Sequence, residues 1–300
     1  MPLSLTPARL GVLMALGAVL GWSLNLIFSR SLAGVVPPFT LTLLRSIVAV
    51  IAFAPFAYKD FLRGWPVLKK RPLFFIFLSL TGIAYYNSFI YTAGQTTSVI
   101  NMGLLTLSAP VFTLILSRIF LREPLTPQRI FGLLAAVCGV VLIITRGDFS
   151  LLLELRFHVG DLFMLLGSFI FACYSVGFKF MEPGISGKGF LLCMFITSVL
   201  FLLPPAAWEY ACGMRVHFTP AAVKGILYLG IVASIFCYIC WNGAITRIGP
   251  GNTALFYYML PLFSGIEALM LFPDETLRTF HLVGGGLIIL GVLVATWPKR

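Results

Sequence analysis

Trp22, Asn25 and Ser29 lie three and four residues apart inside one long apolar run, so a helix there presents an indole, an amide and a hydroxyl on one face. A second run carries Asn87, Tyr91 and Gln95 at similar spacing, beside Ala84 and Ser88. A third holds Ser234, Tyr238, Trp241 and Asn242, and Tyr174 sits in another. Asn101 and Asn252 open two further runs, the second continuing with Tyr257 and Tyr258. Hydrocarbon offers such groups no hydrogen bond, so they turn toward a partner helix or a wet cavity. As a set they supply neutral donors and acceptors with broad π-faces, a chemistry suited to a zwitterion with a variable side chain. Bridging between helices is the plainer role open to each, and for Asn101 and Asn252 so is helix capping.

Charges inside apolar runs are rarer. Arg45 lies about 10 Å inside the start of its run, and Glu267 about 8 Å inside the end of its own. Their depths are compatible, so each is expected to be buried against polar partners and to be available to pair with the other. Glu267 is the one carboxylate that the run boundaries place deep, which makes it the candidate proton carrier, with a structural ion pair as the alternative. Glu123 and Glu275 precede two runs, where a carboxylate suits a positive helix N-terminus. Pro110 and Pro261 interrupt two runs at matching points, as static kinks or as hinges. Phosphate-bearing substrates would call for clustered Arg and Lys at mid-depth, which are absent, and cationic drugs for an acidic group in the first stripe, which has none.

The elements that must position these groups follow from composition. Of 300 residues, 59% are hydrophobic and 10% charged, with a mean hydropathy of +1.00. A soluble fold would expose apolar surface almost everywhere, so the chain reads as an integral membrane protein. Ten segments are long and apolar enough to span a bilayer: 9–30, 38–58, 72–94, 98–118, 127–146, 159–180, 188–208, 219–243, 251–272 and 279–297. The net charge of +11 sits in short connections, above all from Lys59 to Arg71, which fits loops better than a nucleic-acid face. Apart from Arg45, fourteen Lys and Arg fall on the side of the N-terminus and six on the other, which predicts cytoplasmic termini. The six cysteines lie mostly inside apolar runs and imply no disulfide framework. The run after Arg9 is long for a cleaved leader and reads as a first span.

A shift of about 150 residues aligns Met14, Leu16, Gly17 and Phe28 with Met164, Leu166, Gly167 and Phe178. Pro55 then meets Pro205, Asn101 meets Asn252, Pro110 meets Pro261, Glu123 meets Glu275, Gly132 meets Gly284, and Gly139 meets Gly291. Each copy holds five spans, an odd number, so the second enters the membrane from the opposite side. The expected fold is all-α, ten transmembrane helices in two five-helix inverted repeats, residues 1–149 and 150–300, acting as one unit. Such pairs place a substrate site near the midplane, here between spans 1, 3, 4, 6, 8 and 9.

Gly21-Trp22-Ser23-Leu24-Asn25-Leu26-Ile27-Phe28-Ser29-Arg30, Arg45, and Leu121-Arg122-Glu123-Pro124-Leu125-Thr126 followed by Gly132 and Gly139 resemble elements of the drug/metabolite transporter superfamily, ten-span EamA type. Asp274-Glu275-Thr276-Leu277 with Gly284 and Gly291 repeats the last of these. The pattern is most similar to bacterial aromatic amino acid exporters. That resemblance implies an inner-membrane carrier moving amino acids outward by alternating access, with a helix set like the one above. Partners are then amino acids and the bilayer, with no nucleic acid and no cofactor, and a monomer suffices.

Rival readings are an exporter of drugs or other metabolites on the same fold, an intramembrane enzyme, and a channel. His158 and Asp161 open a span and read as interface and helix-start residues, while His158, His217 and His281 are scattered and form no metal set. Cys237-Tyr-Ile-Cys240 lacks a second ligand pair, and no Gly-rich loop with Lys-Ser/Thr provides for ATP. Two pseudo-symmetric halves favour a carrier over a pore.

Overall fold

A computed structural model describes residues 6–271 and 278–297. Asp274-Glu275-Thr276-Leu277 lies outside the described residues, as do the side chains of Ser29 and Arg30. Nine helical runs among the described residues are long and apolar enough to cross a membrane, and the broken run 250–271 completes ten. Span 1 is Pro7–Ser31, span 2 Pro38–Lys70, span 3 Pro72–Thr96, span 4 Ile100–Phe120 and span 5 Pro127–Ile144. Span 6 is Val159–Phe180, span 7 Gly187–Ala211, span 8 Pro220–Ile248, span 9 250–271 and span 10 Thr279–Thr296.

Local chemistry explains the boundaries. Pro38, Pro72, Pro127, Pro220 and Pro250 stand at first helical positions, where the missing N–H costs nothing. Ser98, Thr126, Ser186 and Thr219 cap spans 4, 5, 7 and 8 through their hydroxyls. Spans 8 and 9 are joined by Gly249 alone, whose φ of 82° makes the turn that a side chain would strain.

Span 2 is longer than hydropathy predicts. The stretch from Lys59 to Lys70, expected as a loop, continues the helix to 33 residues. Gly64 and Leu68 are buried on one face, with Gly64 against Ile185, while Lys59, Arg63, Lys69 and Lys70 stay exposed. An amphipathic face thus carries the helix beyond its apolar run.

Span 1 packs against span 8 and span 6 against span 3; span 4 packs against span 6 and span 9 against span 1; spans 2 and 7, 4 and 9, and 5 and 10 pack on each other. Exchanging the halves, so that span 1 becomes 6 and span 3 becomes 8, turns this set of neighbours into itself. The duplication is therefore a pseudo-two-fold symmetry of packing. Spans 5 and 10 run antiparallel with their backbones touching at the glycines that the repeat aligns. A Cβ on Gly139 would lie 2.5 Å from the Gly284 carbonyl oxygen, and one on Gly291 2.5 Å from that of Gly132. Gly139→Leu and Gly284→Leu should each destabilise the protein by about 1–3 kcal/mol through overpacking. Gly286→Leu, on the same helix with nothing within 4 Å of its added Cβ, should leave it unchanged. Thermal unfolding in one detergent checks all three.

Candidate functional site

Rings from five spans meet at the centre. Phe171 of span 6 packs on Trp22, Tyr86, Tyr174, Trp241 and Tyr257 at centroid distances of 4.3–5.9 Å. Trp22 also meets Tyr238 edge-on at 5.3 Å and Trp241 at 5.2 Å. Hydrogen bonds orient the rings: Tyr174 donates to Asn242 Oδ1 at 2.6 Å, and Trp241 Nε1 to Ser175 Oγ at 3.2 Å. Trp22 Nε1 donates to the Ala233 carbonyl at 2.8 Å, Tyr238 to the Gly82 carbonyl, and the Tyr86 and Tyr257 hydroxyls hydrogen-bond each other. Gly82 and Ala233 lie in π-helical segments, Leu80–Ala84 and Leu229–Phe236, one in each half. Trp22, Asn25, Asn87, Tyr91, Tyr174, Tyr238, Trp241 and Asn242 thus converge as the sequence predicts, but all are buried, with Trp241 1% and Trp22 5% exposed. The open cavity expected among them is filled by the rings themselves. Phe171 and Tyr86 join them without a polar stripe of their own to mark them, although Phe171 shares a helical face with Tyr174.

Beside this cluster Arg45 is fully buried, at 0% exposure. Its Nη1 donates to Asn87 Oδ1 and to Tyr91 OH, both at 2.6 Å, while Nε and Nη2 converge on Ser234 Oγ at 3.0 and 2.8 Å. Tyr91 passes the chain on to Asn25 Oδ1 at 3.0 Å, Asn87 donates to the Ile83 carbonyl, and Ser234 to the Leu229 carbonyl. Every partner is neutral. The pairing with Glu267 does not form: Glu267 Oε1 accepts from Ser23 at 2.6 Å, and its Oε2 is buried with no hydrogen-bond partner. Both charges come from spans whose polar neighbours were already in reach, so neither needed the other. An arginine at mid-helix costs about 3 kcal/mol on insertion scales.

Other candidates lie away from the centre. Asn101 donates to Asp161 Oδ2 and to the Arg156 carbonyl, both at 3.0 Å, tying span 4 to the start of span 6, where Asp161 also holds the His158 N–H and the Thr97 hydroxyl. Asn252 accepts from Arg129 at 2.8 Å and donates to the Ile248 carbonyl. Glu123 pairs with Arg129 at 3.4 Å and lies against Gly249 and Gly251 at the start of span 9, while Thr126 caps span 5. Tyr258 donates to the Leu107 carbonyl, at the break in span 4 before Pro110, and span 9 breaks likewise over Phe256–Met259 before Pro261. Gln95 is exposed and accepts from the Gly34 N–H at 3.2 Å. It lines a cavity of about 520 Å³ at the end of the bundle opposite the termini, with Thr92, Pro205, Trp208, Glu209 and Arg215. Glu209 stands just past its apolar run, in a helix that continues to Ala211; it is buried and accepts from the Phe39 and Thr40 N–H groups, both at 2.8 Å, capping span 2 from another helix. Glu209 and Asp161 are thus buried while Glu267 is half-buried, so Glu267 is not the one deep carboxylate.

Comparison with known proteins gives the family. The profile of the EamA-like transporter family matches twice, over residues 9–145 and 158–297. The chain belongs to that family. A protein described as an uncharacterized transporter, YyaM of Bacillus subtilis (strain 168), is 29% identical over 78% of this chain and 76% of its own. An uncharacterized transporter of Archaeoglobus fulgidus is 26% identical over 95% and 96%. A "Probable terminal-alkyne amino-acid exporter" of Streptantibioticus cattleyicolor is 26% identical over 64% and 62%. A solved structure shares the fold with a TM-score of 0.73 at 20% identity, over 95% of this chain and 96% of that one.

The two EamA copies treat the centre differently. Ser175 and Trp241, 150 residues on from Asn25 and Tyr91, are hydrogen-bonded to each other as Asn25 and Tyr91 are. Arg45 has no such counterpart, because position 195 is Phe195, buried at 0% and packed on Phe53. Cycles of single and double variants separate the two charges that lie within spans. Arg45→Ala and Asn87→Ala should couple by about 1–3 kcal/mol in unfolding free energy, whereas Arg45→Ala and Glu267→Ala should add to within about 0.5 kcal/mol.

Proposed function

We propose that this transporter exports amino acids, aromatic and other large neutral ones among them, through the ring-lined centre between its two halves. The observation that supports it is the composition of that centre: five spans contribute rings, and amides and hydroxyls orient them. Ring pairs contribute about 0.5–1.5 kcal/mol each beyond burial, and opening the centre gives them up. A substrate with a large apolar or aromatic side chain replaces those pairs, while its polar end meets Asn25, Asn87 and Asn242. Stacking and apolar packing discriminate poorly among large side chains, so the specificity is broad. The Streptantibioticus relative, described as a probable exporter of an amino acid, points to the same substrate class.

In this reading the structure is a closed intermediate of alternating access in a bacterial inner membrane, with both termini in the cytoplasm. The cavity beside Gln95 and Trp208 then opens to the outside and forms the exit. Glu267, with an orphan oxygen beside Ser23, carries the coupling proton. Liposomes containing the purified protein, assayed for counterflow of labelled phenylalanine, methionine, threonine and lysine, test the proposal. Saturable phenylalanine counterflow is expected, at least ~10-fold reduced in Trp22→Ala. Flux of every solute in proportion to its concentration would sink the carrier, and no flux of any amino acid would remove the substrate. Glu267→Gln should leave counterflow intact and abolish its acceleration by a pH gradient.

A further inference from the structure

We propose that Arg45 is the receptor for a substrate carboxylate and that Ser234 occupies the receptor in the closed state. The inference rests on the reading of the centre as a transport site and adds the chemical group it selects. The symmetry carries the first half of it. Both halves build spans 2 and 7 at equivalent places, yet the second fills the position with Phe195 and buries it completely. The fold therefore accepts an apolar ring there, and a buried charge is often replaceable by apolar groups without loss of stability. Packing alone therefore does not call for an arginine at this position.

The hydrogen bonds carry the second half. Nε and Nη2 form the side of a guanidinium that grips a carboxylate with two parallel bonds. Here both point at a single atom, Ser234 Oγ, at 3.0 and 2.8 Å. One hydroxyl oxygen stands where two carboxylate oxygens fit, and it leaves the charge uncompensated. Ser234 belongs to the π-helical segment of span 8, in the opposite half, and its own proton goes to the Leu229 carbonyl. Asn87 and Tyr91 hold the other nitrogen, so the fork stays fixed when Ser234 withdraws. Separation of the halves would uncover the fork, and a carboxylate would take the place of the hydroxyl. The first cavity residues along spans 2 and 3 are near at hand: Phe39 lies about 9 Å before Arg45, and Thr92 follows Tyr91.

Ligand-induced thermal stabilisation of the purified full chain in detergent tests this with phenylalanine, 3-phenylpropionate and phenethylamine. Both acids are expected to raise the melting temperature and the amine is not. Arg45→Gln should abolish the response to the acids, and Ser234→Ala should lower the half-effective 3-phenylpropionate concentration about tenfold. An equal response to phenethylamine and 3-phenylpropionate, a response that survives in Arg45→Gln, or no response to either acid overturns the proposal. Should Arg45→Gln fail to fold, the ranking of the three ligands on the unsubstituted protein decides. A response to 3-phenylpropionate without one to phenylalanine keeps the Arg45 receptor and removes the amino acid. Equal responses to phenylalanine and phenethylamine with none to 3-phenylpropionate remove the receptor and keep the ring-lined site.

Discussion

Backbone carbonyls at mid-membrane have no water to turn to, and at three places where a span departs from regular α-helix a side chain from the other half supplies the donor. Tyr238 donates to Gly82 in span 3, Trp22 to Ala233 in span 8, and Tyr258 to Leu107 in span 4. These bonds cross the boundary between the repeats. Much of the rest follows from them. They bring the aromatic donors to the centre, since a donor must lie where the irregular backbone lies. They also make the two halves depend on each other, because separating them breaks all three bonds.

Packing between the halves obeys the symmetry closely, and the chemistry inside does not. Spans 5 and 10 meet through glycines that are equivalent in the repeat, an interface that any duplicated bundle of this kind could use. The centre, by contrast, has its charge on one side and a phenylalanine on the other. In the proposed alternating-access cycle, symmetric packing would give two related conformations of similar energy, one open to each face. Asymmetric chemistry then lets a substrate with distinct ends bind in one orientation, which a strictly symmetric site would not enforce.

The spans and their duplication were legible because both rest on composition and register, which survive without knowledge of any neighbour. The convergence of Trp22, Asn87, Tyr174 and Trp241 was legible too, since helical spacing tells which face a residue occupies. Spacing does not tell what stands across from that face. Arg45 and Glu267 share a depth and still find separate partners. Asn101 and Asn252 show the complementary limit: their matching positions are real, and both tie helix ends together instead of lining the centre. The overlong span 2 escaped hydropathy because an exposed basic face hides a buried one, and Glu209 escaped because its helix outlasts the apolar run.

Under the proposed function, the packed centre also bears on how tightly a substrate is held. Every ring pair that separates on opening subtracts from the affinity of an incoming side chain, so the observed binding free energy is the difference between two similar sets of interactions. A carrier must release what it takes up, and a site that is well packed when empty meets that need better than a preformed hollow. On that reading the rings at Trp22, Phe171 and Trp241, which pack on one another, compete with the substrate as well as flank it. Trimming one of them weakens the closed empty state and the bound state together, so its effect on affinity is smaller than its effect on the rate at which the empty protein reopens.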